Sequence, residues 1–176
     1  MKRLIYTFIV CLFLFIPFSL NAQQLKIAYV DLQRALNESL AGKDAKEKFA
    51  QEVKKIEQKI NERKEEIRRL TELLERQSMM LNEEVRRQKE KDLMKKQRDY
   101  ERFVKDSKDE LQLKDAELTQ KILKELAQLI EKYGRENNYT FIFERNATFL
   151  LYATPALDLT DKIIALYDAQ YRSKKK

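Results

Sequence analysis

Apolar residues spaced alternately four and three apart dominate the first half of this 176-residue chain. Counted from Phe49, seven of the eight core positions are apolar, and Arg63 is the exception. The eight positions are Phe49, Val53, Ile56, Ile60, Arg63, Ile67, Leu70 and Leu74. This spacing is the heptad of a coiled coil. It predicts a long helix from Lys43 that must pack against another helix instead of closing into a compact core.

A second long helix is predicted where this pattern breaks, near residues 77–84. Asn82 is a favourable N-cap, and the two glutamates that follow suit a first helical turn. The new helix is predicted to run until Gly134, which is placed to end it. Two long helices joined by a short connection lie antiparallel. We therefore expect residues 43–133 to form a protruding hairpin about 55 Å long.

The returning helix of this hairpin has a poorer seam. A heptad links Leu93, Tyr100, Val104, Leu111 and Leu118, and then shifts by a stutter to Ile122, Leu126, Leu129 and Tyr133. Polar residues at the intervening core positions each forfeit about 1.5–3 kcal/mol of burial. They are Gln97, Ser107 and Lys114. We expect an arm that bends and splays and is held best near its base.

Short β-prone segments lie on both sides of the helical hairpin. Residues 139–143 and 149–152 are predicted to form a two-stranded hairpin, and residues 25–32 form a further strand candidate that can pair with it. Side chains alternate across a strand, so Phe141 and Phe143 should face one way and Ile142 the other. Because both faces are apolar, the sheet needs cover on both sides. After it, Asp158 is predicted to cap a final helix.

One copy of the chain has too little material to cover both faces of this sheet. Open edges and exposed aromatic rings invite aggregation, so further copies are the predicted cover. The fold class is therefore α+β, with a discontinuous oligomerisation body at 23–42 and 134–176 and a coiled-coil arm between them. The predicted body residues are Ile27, Tyr29, Val30, Phe141, Ile142, Phe143, Phe149, Leu150, Leu151 and Tyr152. The residues alone do not give the number of copies.

The first 22 residues have the anatomy of a secretory signal peptide. Lys2 and Arg3 precede an uncharged apolar run at 4–20, and Ala22 is a suitable cleavage residue. The alternative is a retained membrane anchor, because about 17 apolar residues can just span a bilayer. Pro17 and the short charged lead favour cleavage and export.

The remaining chain lacks the residues that most enzymes use. It contains no histidine and no cysteine, and its only glycines are Gly42 and Gly134. Groups that exchange protons or attack near neutral pH are therefore missing, as is a glycine-rich phosphate loop. No acidic cluster has metal-ligand spacing that is not also an ordinary coiled-coil face. The sequence predicts a protein that is not an enzyme and that needs no cofactor or metal.

Basic residues cluster just after the predicted arm tip. Loss of Lys2 and Arg3 lowers the formal net charge from +7 to +5. An exported basic chain points to anionic phospholipid, lipopolysaccharide or acidic protein segments as partners, in preference to nucleic acid. The candidate residues for contact with a client protein or with anionic lipid are Met79, Met80, Leu81, Arg86, Arg87, Lys91, Lys95, Lys96 and Arg98. Two alternatives are equally open. The basic residues can form a solvated face that is partly neutralised by Glu72 and Glu75 of the opposite helix, and the methionines can pack across the turn.

The chain resembles the Skp/OmpH family of periplasmic chaperones over essentially all of the segment after the leader. The matching segments are IAYVDL at 27–32, NES at 37–39, MLNEE at 80–84, QRDYERF at 97–103 and LYATPALDLTD at 151–161. The last is the most specific, because its order of strand, turn and cap is not a generic helix pattern. A polar loop at 145–148, and Asn82 where serine is expected, depart from the family pattern.

The resemblance implies a homotrimer in the periplasm. Strands of three protomers would build a body from which three helical arms surround a cavity. Such proteins are ATP-independent holdases for unfolded outer-membrane proteins. The rival interpretation is a structural or adaptor coiled coil of the cell envelope that docks one fixed partner through its tip.

Overall fold

The computed structural model of the chain describes residues 25–77, 80–146 and 150–175. The leader, Met79 and Phe149 lie outside these residues. The elements are β1 (Ile27–Val30), α1 (Leu32–Glu38), α2 (Leu40–Gln77), α3 (Glu83–Glu136), β2 (Phe141–Glu144), a 3₁₀ turn (Pro155–Leu157) and α4 (Thr160–Lys175). Helices α2 and α3 form the predicted hairpin, called the arm below. The α+β fold class is confirmed.

The arm begins earlier than the sequence predicts, at Leu40 instead of Lys43. Ser39 separates α1 from α2 and is completely buried. Its hydroxyl accepts a hydrogen bond from the Gly42 N–H at 3.2 Å, as an N-cap side chain does. Gly42 therefore lies in the first turn of α2. A Cβ there would lie 1.7 Å from the carbonyl oxygen of Leu36, so the glycine permits the close approach of α1.

This close approach predicts unequal effects of alanine at the two glycines. Gly42→Ala should lower the free energy of unfolding by about 3 kcal/mol, because the new methyl group displaces backbone of α1. Gly134→Ala should change it by no more than about 1 kcal/mol, since a gain in helix propensity offsets contact with a flexible side chain. Urea unfolding followed by circular dichroism, at one fixed protein concentration, measures both. Equal effects at the two positions would show that the Leu36 carbonyl is not the obstacle.

The prediction that Gly134 ends the second arm helix is wrong. Helix α3 continues to Glu136, and Asn138 takes the left-handed conformation, with φ of 56°. The Asn138 N–H donates to the Arg135 carbonyl at 3.3 Å and the Tyr139 N–H donates to the Gly134 carbonyl at 2.9 Å. This is the Schellman arrangement with asparagine at the position usually held by glycine.

Gly134 has a packing role instead. It is buried on α3, and a Cβ at this position would lie 3.2 Å from Cδ1 of Ile142. The missing side chain lets β2 lie close against the helix. Ile142 is thereby partly buried against the core of the protomer.

The sheet consists of β1 and β2 in parallel, with Ile27 opposite Phe141 and Val30 opposite Glu144. The arm is the long crossover connection that a parallel pair requires. Prediction of an antiparallel hairpin with a second strand at 149–152 is wrong for the described residues, because 150–153 adopt no regular structure. The opposite edge of β1 makes an isolated bridge to Asp158, so that edge is occupied by the chain that enters α4.

The hydrophobic core lies at the base of the arm, where all four helices meet β1. Its buried members are Val30, Ala35, Ala41, Ile122, Leu126, Ile163 and Tyr167. Tyr29 and Val30, which were predicted for the oligomerisation body, are thus buried within one protomer. The register shift to Ile122 and Leu126 is confirmed by this packing. The base is the one well-packed part of the arm, because no described residue from 57 to 106 is buried.

The seam of the arm departs from the heptad in its outer part. Ser107 is buried, as expected for a core position, whereas Gln97 and Lys114 are exposed and the prediction is wrong for them. Because a straight helix has 3.6 residues per turn, a 3.5-residue repeat drifts off the seam. Arg63 remains near the seam, and its guanidinium lies over the ring of Phe103, 4.2 Å from the ring centroid.

Candidate interaction surfaces

Two aromatic rings on β2 face away from the protomer. Phe141 and Phe143 project from the same side of the strand, as predicted, and their rings stack with centroids 5.8 Å apart. Phe141 is 52% exposed and Phe143 is 38% exposed. Ile142 points the other way, toward α3. One side of the sheet is therefore covered by the protomer and the other side is not.

The segment after β2 adds apolar surface to the same body. Leu151 is 97% exposed and Tyr152 is 82% exposed, whereas Leu150 is partly buried. We call Phe141, Phe143, Leu151 and Tyr152 the exposed body surface. Isolated exposed apolar residues are ordinary, but four large ones within twelve positions of the sequence indicate an interaction surface.

The chain that leads into α4 is fixed to β1 and α1 by polar contacts. The Thr160 hydroxyl accepts a hydrogen bond from the Asp31 N–H at 2.9 Å and donates to Asp158 at 2.5 Å. Burial raises the pKa of Asp158, but hydrogen bonds from Thr160 and the charge of Arg34 outweigh it, so the pKa lies below its usual value. The LDLTD part of the family-like segment thus fixes the base, and the LYATP part supplies Leu151 and Tyr152 of the exposed body surface.

The arm tip places the apolar and basic candidates in different environments. Asn82 caps α3, as predicted, by accepting from the N–H groups of Glu84 and Val85. Met80 is 88% exposed and Leu81 is partly buried. Met80 is therefore available for contact, while Leu81 packs at the turn.

The basic stripe consists of Arg87, Lys91, Lys95 and Arg98, which are exposed on one face of α3. Arg87 lies 3.6 Å from Glu83 on its own helix. The other three form no ion pair with any residue that the structure describes. Neutralisation of the stripe by Glu72, which was part of the alternative interpretation, is not found, because Glu72 pairs with Arg68 and Arg76 on its own helix.

Lys96 and Arg86 are not part of this stripe. The Lys96 ammonium donates to Glu66 across the arm at 2.8 Å. That hydrogen bond raises the pKa of Lys96 and lowers the pKa of Glu66. Arg86 lies 3.7 Å from Glu90 on its own helix. Lys96 thus joins the two arm helices, a role that the sequence pattern did not indicate.

A carboxylate and a tyrosine join α2 to the end of α4. The Tyr171 hydroxyl donates to Asp44 at 2.5 Å, and the Lys48 ammonium lies 3.1 Å from the same carboxylate. These two contacts lower the pKa of Asp44 to about 2. The carboxylate in turn raises the pKa of Tyr171 to about 12.

The low pKa of Asp44 predicts a dependence of stability on pH. An unfolded aspartate titrates near pH 3.9, so the contribution of Asp44 is complete above that pH and is lost as pH falls toward 2. Asp44→Asn should lower the thermal midpoint at pH 6, and the difference from the parent should shrink as the pH approaches 2. Asp109→Asn, at an exposed position on α3, is the control and should change little at any pH. If Asp44→Asn lowered the thermal midpoint by the same amount at every pH, the low pKa of Asp44 would not be the cause of the stabilisation.

The described residues contain neither a membrane-spanning helix nor a metal site. No helix in 25–77, 80–146 or 150–175 is both long and apolar enough to cross a membrane. Within the same residues, no group of acidic side chains is arranged to hold a metal ion.

Comparison with known proteins finds the same fold of a helical arm on a small body in a solved structure. A crystal structure described as an OmpH-like outer membrane chaperone from Caulobacter crescentus CB15 matches with a TM-score of 0.77 and 18% identity, over 83% of this chain and 85% of that one. No curated protein matches the chain. The family model described as Outer membrane protein (OmpH-like) matches residues 26–167, which is most of the chain. The protein is therefore a member of the OmpH-like family.

Proposed function

We propose that the protein is a periplasmic holdase chaperone that acts without ATP and encloses unfolded outer-membrane proteins between its arms. The observation that carries the proposal is the position of the exposed body surface at the root of a long, protruding arm. Self-association through that surface places several arms around a common space. The related protein from Caulobacter crescentus is itself described as an outer membrane chaperone.

Self-association is proposed to give a homotrimer. Phe141, Phe143, Leu151 and Tyr152 would be buried between protomers, as the uncovered side of an apolar sheet requires. The outer edge of β2 pairs with no strand in the described part of the chain. A neighbouring protomer that supplies chain to this edge would satisfy its backbone groups.

Client binding is proposed to rest on many weak contacts. The outer arm has no buried residue among those described, so its surface is mixed, with scattered apolar groups such as Met80 and Met94 among charges. Several arms that act together raise the effective concentration of contacts, and overall avidity exceeds single affinities by about 10²–10⁴. Weak single contacts still permit release of the client.

Light scattering of a diluted unfolded β-barrel protein tests this function. The purified chain should suppress scattering at about one trimer per client, with no nucleotide present. Unchanged scattering at that ratio, with the protein shown to be folded by circular dichroism, would refute the holdase function.

The alternative is an adaptor whose tip docks one fixed partner, and the exposure of Met80 is the observation that favours it. An adaptor would require a stiff arm, whereas the packing of this arm is concentrated at its base. Pull-down from envelope extracts separates the two. A holdase captures many unfolded proteins, and an adaptor captures one folded partner.

The basic stripe is proposed to bind lipopolysaccharide or anionic phospholipid. Each cation near an anionic membrane surface contributes about 1 kcal/mol. Neutralising Lys91, Lys95 and Arg98 together to glutamine should therefore weaken binding to anionic vesicles by about 100-fold. Glutamine at Lys54, Lys59 and Lys64 on α2 is the control with the same change in charge. Equal weakening by both variants in a vesicle sedimentation assay would assign the effect to net charge and not to the stripe.

A further inference from the structure

A concave pocket of about 350 Å³ lies where the base of the arm meets α4. Its wall is apolar where α2 and α3 face each other, with Ala41 and Ala45 on one side and Leu118 and Ile122 on the other. Two tyrosine rings of α4 complete the wall. The pocket is separate from the exposed body surface and from the basic stripe, and the proposed function makes no use of it.

The two carboxylates in this pocket already have hydrogen-bond donors. Tyr167 donates to Glu125 at 2.7 Å, and Tyr171 donates to Asp44 at 2.5 Å. Burial and the bond to Glu125 raise the pKa of Tyr167, so the phenol stays neutral. These two hydrogen bonds tie both carboxylates to the tyrosines of α4.

Lysines outnumber these carboxylates two to one. Four lysines surround the pocket, namely Lys48, Lys121, Lys174 and Lys175. Lys48 and Lys175 share Asp44, at 3.1 Å and 3.5 Å, and Lys174 lies 3.7 Å from Glu125. Lys121 forms no ion pair with any residue that the structure describes. The rim therefore carries an excess of positive charge above an apolar wall.

We propose that this pocket binds a single-chain amphiphile with an anionic head, such as a fatty acid or an alkyl phosphate. The head would contact Lys121 and Lys174 at the rim, and the start of the alkyl chain would lie against Leu118, Ile122 and Ala45. The pocket volume is at the lower end of the range for small-molecule sites. Charge complementarity excludes a cationic amphiphile of the same length.

Titration calorimetry with matched probes tests the ligand chemistry. Decanoate and decyl phosphate are each titrated into the full chain below the concentration at which they form micelles. Saturable binding of at least one is expected, with weaker or no binding of decyltrimethylammonium, which has the wrong charge, and of acetate, which lacks the chain. Equal binding of the cationic and anionic probes, or no saturable binding of either anionic probe, would overturn the proposal.

Substitutions test the location. Lys121→Gln combined with Lys174→Gln should weaken binding of the anionic probe about fivefold. Lys108→Gln is the control, because it lies on α3 about 20 Å along the helix from Lys121 and should leave binding unchanged. Ala45→Leu fills the pocket and should abolish binding while the thermal midpoint shows that the chain is folded. Parent-like binding by Ala45→Leu or by the double variant would place the ligand elsewhere.

Discussion

Removal of the outer arm is expected to abolish protection of clients and to leave the base folded. The variant lacks residues 60–106, and a four-residue turn made of glycine and asparagine joins Lys59 to Ser107. This deletion cuts both helices at the same level. The cut lies between the contact of Arg63 with Phe103 and the level at which Ile56 and Leu111 line one groove. Because avidity from several arms is lost, the truncated chain should need about 100-fold higher concentration to halve client scattering.

The same variant also tests where the subunits join. Every buried core residue of the base lies outside the deletion, so the truncated chain should unfold cooperatively. Its mass in solution should still correspond to the same number of subunits as the parent. Retained protection at equal molar concentration would contradict the role of the arms. A truncated chain that is folded but monomeric would instead place self-association in the arms.

Charge on the exposed body surface is expected to separate the subunits. Phe143→Asp and Leu151→Asp each place a carboxylate where the proposed interface excludes water, and burial of an unpaired charge is strongly unfavourable. Each substitution should weaken self-association by at least about 100-fold, and the double variant should be monomeric at micromolar concentration. Both side chains are exposed in the protomer, so helicity should not change.

A matched control separates this effect from general solubility. Leu113→Asp introduces the same charge at a leucine that is 67% exposed on α3, away from the body. It should leave the mass in solution unchanged. Because the proposed enclosure of clients requires several arms, the monomeric double variant should also lose most protection of clients. A double variant that stays oligomeric would show that the subunits join through a different surface.

The helical half of the fold was predictable because its signals are local. The seam from Phe49 to Leu74 and the cap at Asn82 depend on spacing and side-chain chemistry within one helix. The helix ends at glycines were not predictable in this way. Gly42 and Gly134 are needed for close approach to Leu36 and Ile142, and such tertiary contacts leave no mark in the local pattern.

The sheet shows a similar division. Alternation along Phe141, Ile142 and Phe143 correctly predicted which side chains share a face. Pairing of this segment with the strand candidate at 25–32 was also predicted, and the structure has it as the parallel pair of β1 and β2. The second strand at 149–152 was predicted wrongly, because a hairpin is the nearest arrangement in sequence. Leu151 and Tyr152 alternate like a strand but pair with no strand among the residues that the structure describes.

For the candidate interaction surfaces, the sequence predicted which residues are exposed but not which residues contact each other. The exposure of Arg87, Lys91, Lys95 and Arg98 follows from their spacing on one helical face. The ion pair between Lys96 and Glu66 depends on the register of two helices, which the drifting seam of α3 does not specify. The pocket at the base depends on α4 crossing the arm, and no sequence motif indicates that crossing.

The mass of the chain from residue 23 onward, measured by static light scattering after size-exclusion chromatography, tests the central claim most directly. Because the proposed trimer buries the exposed body surface, we expect a single species of three chains at micromolar concentration, with helical content retained. A folded monomer at that concentration would contradict it.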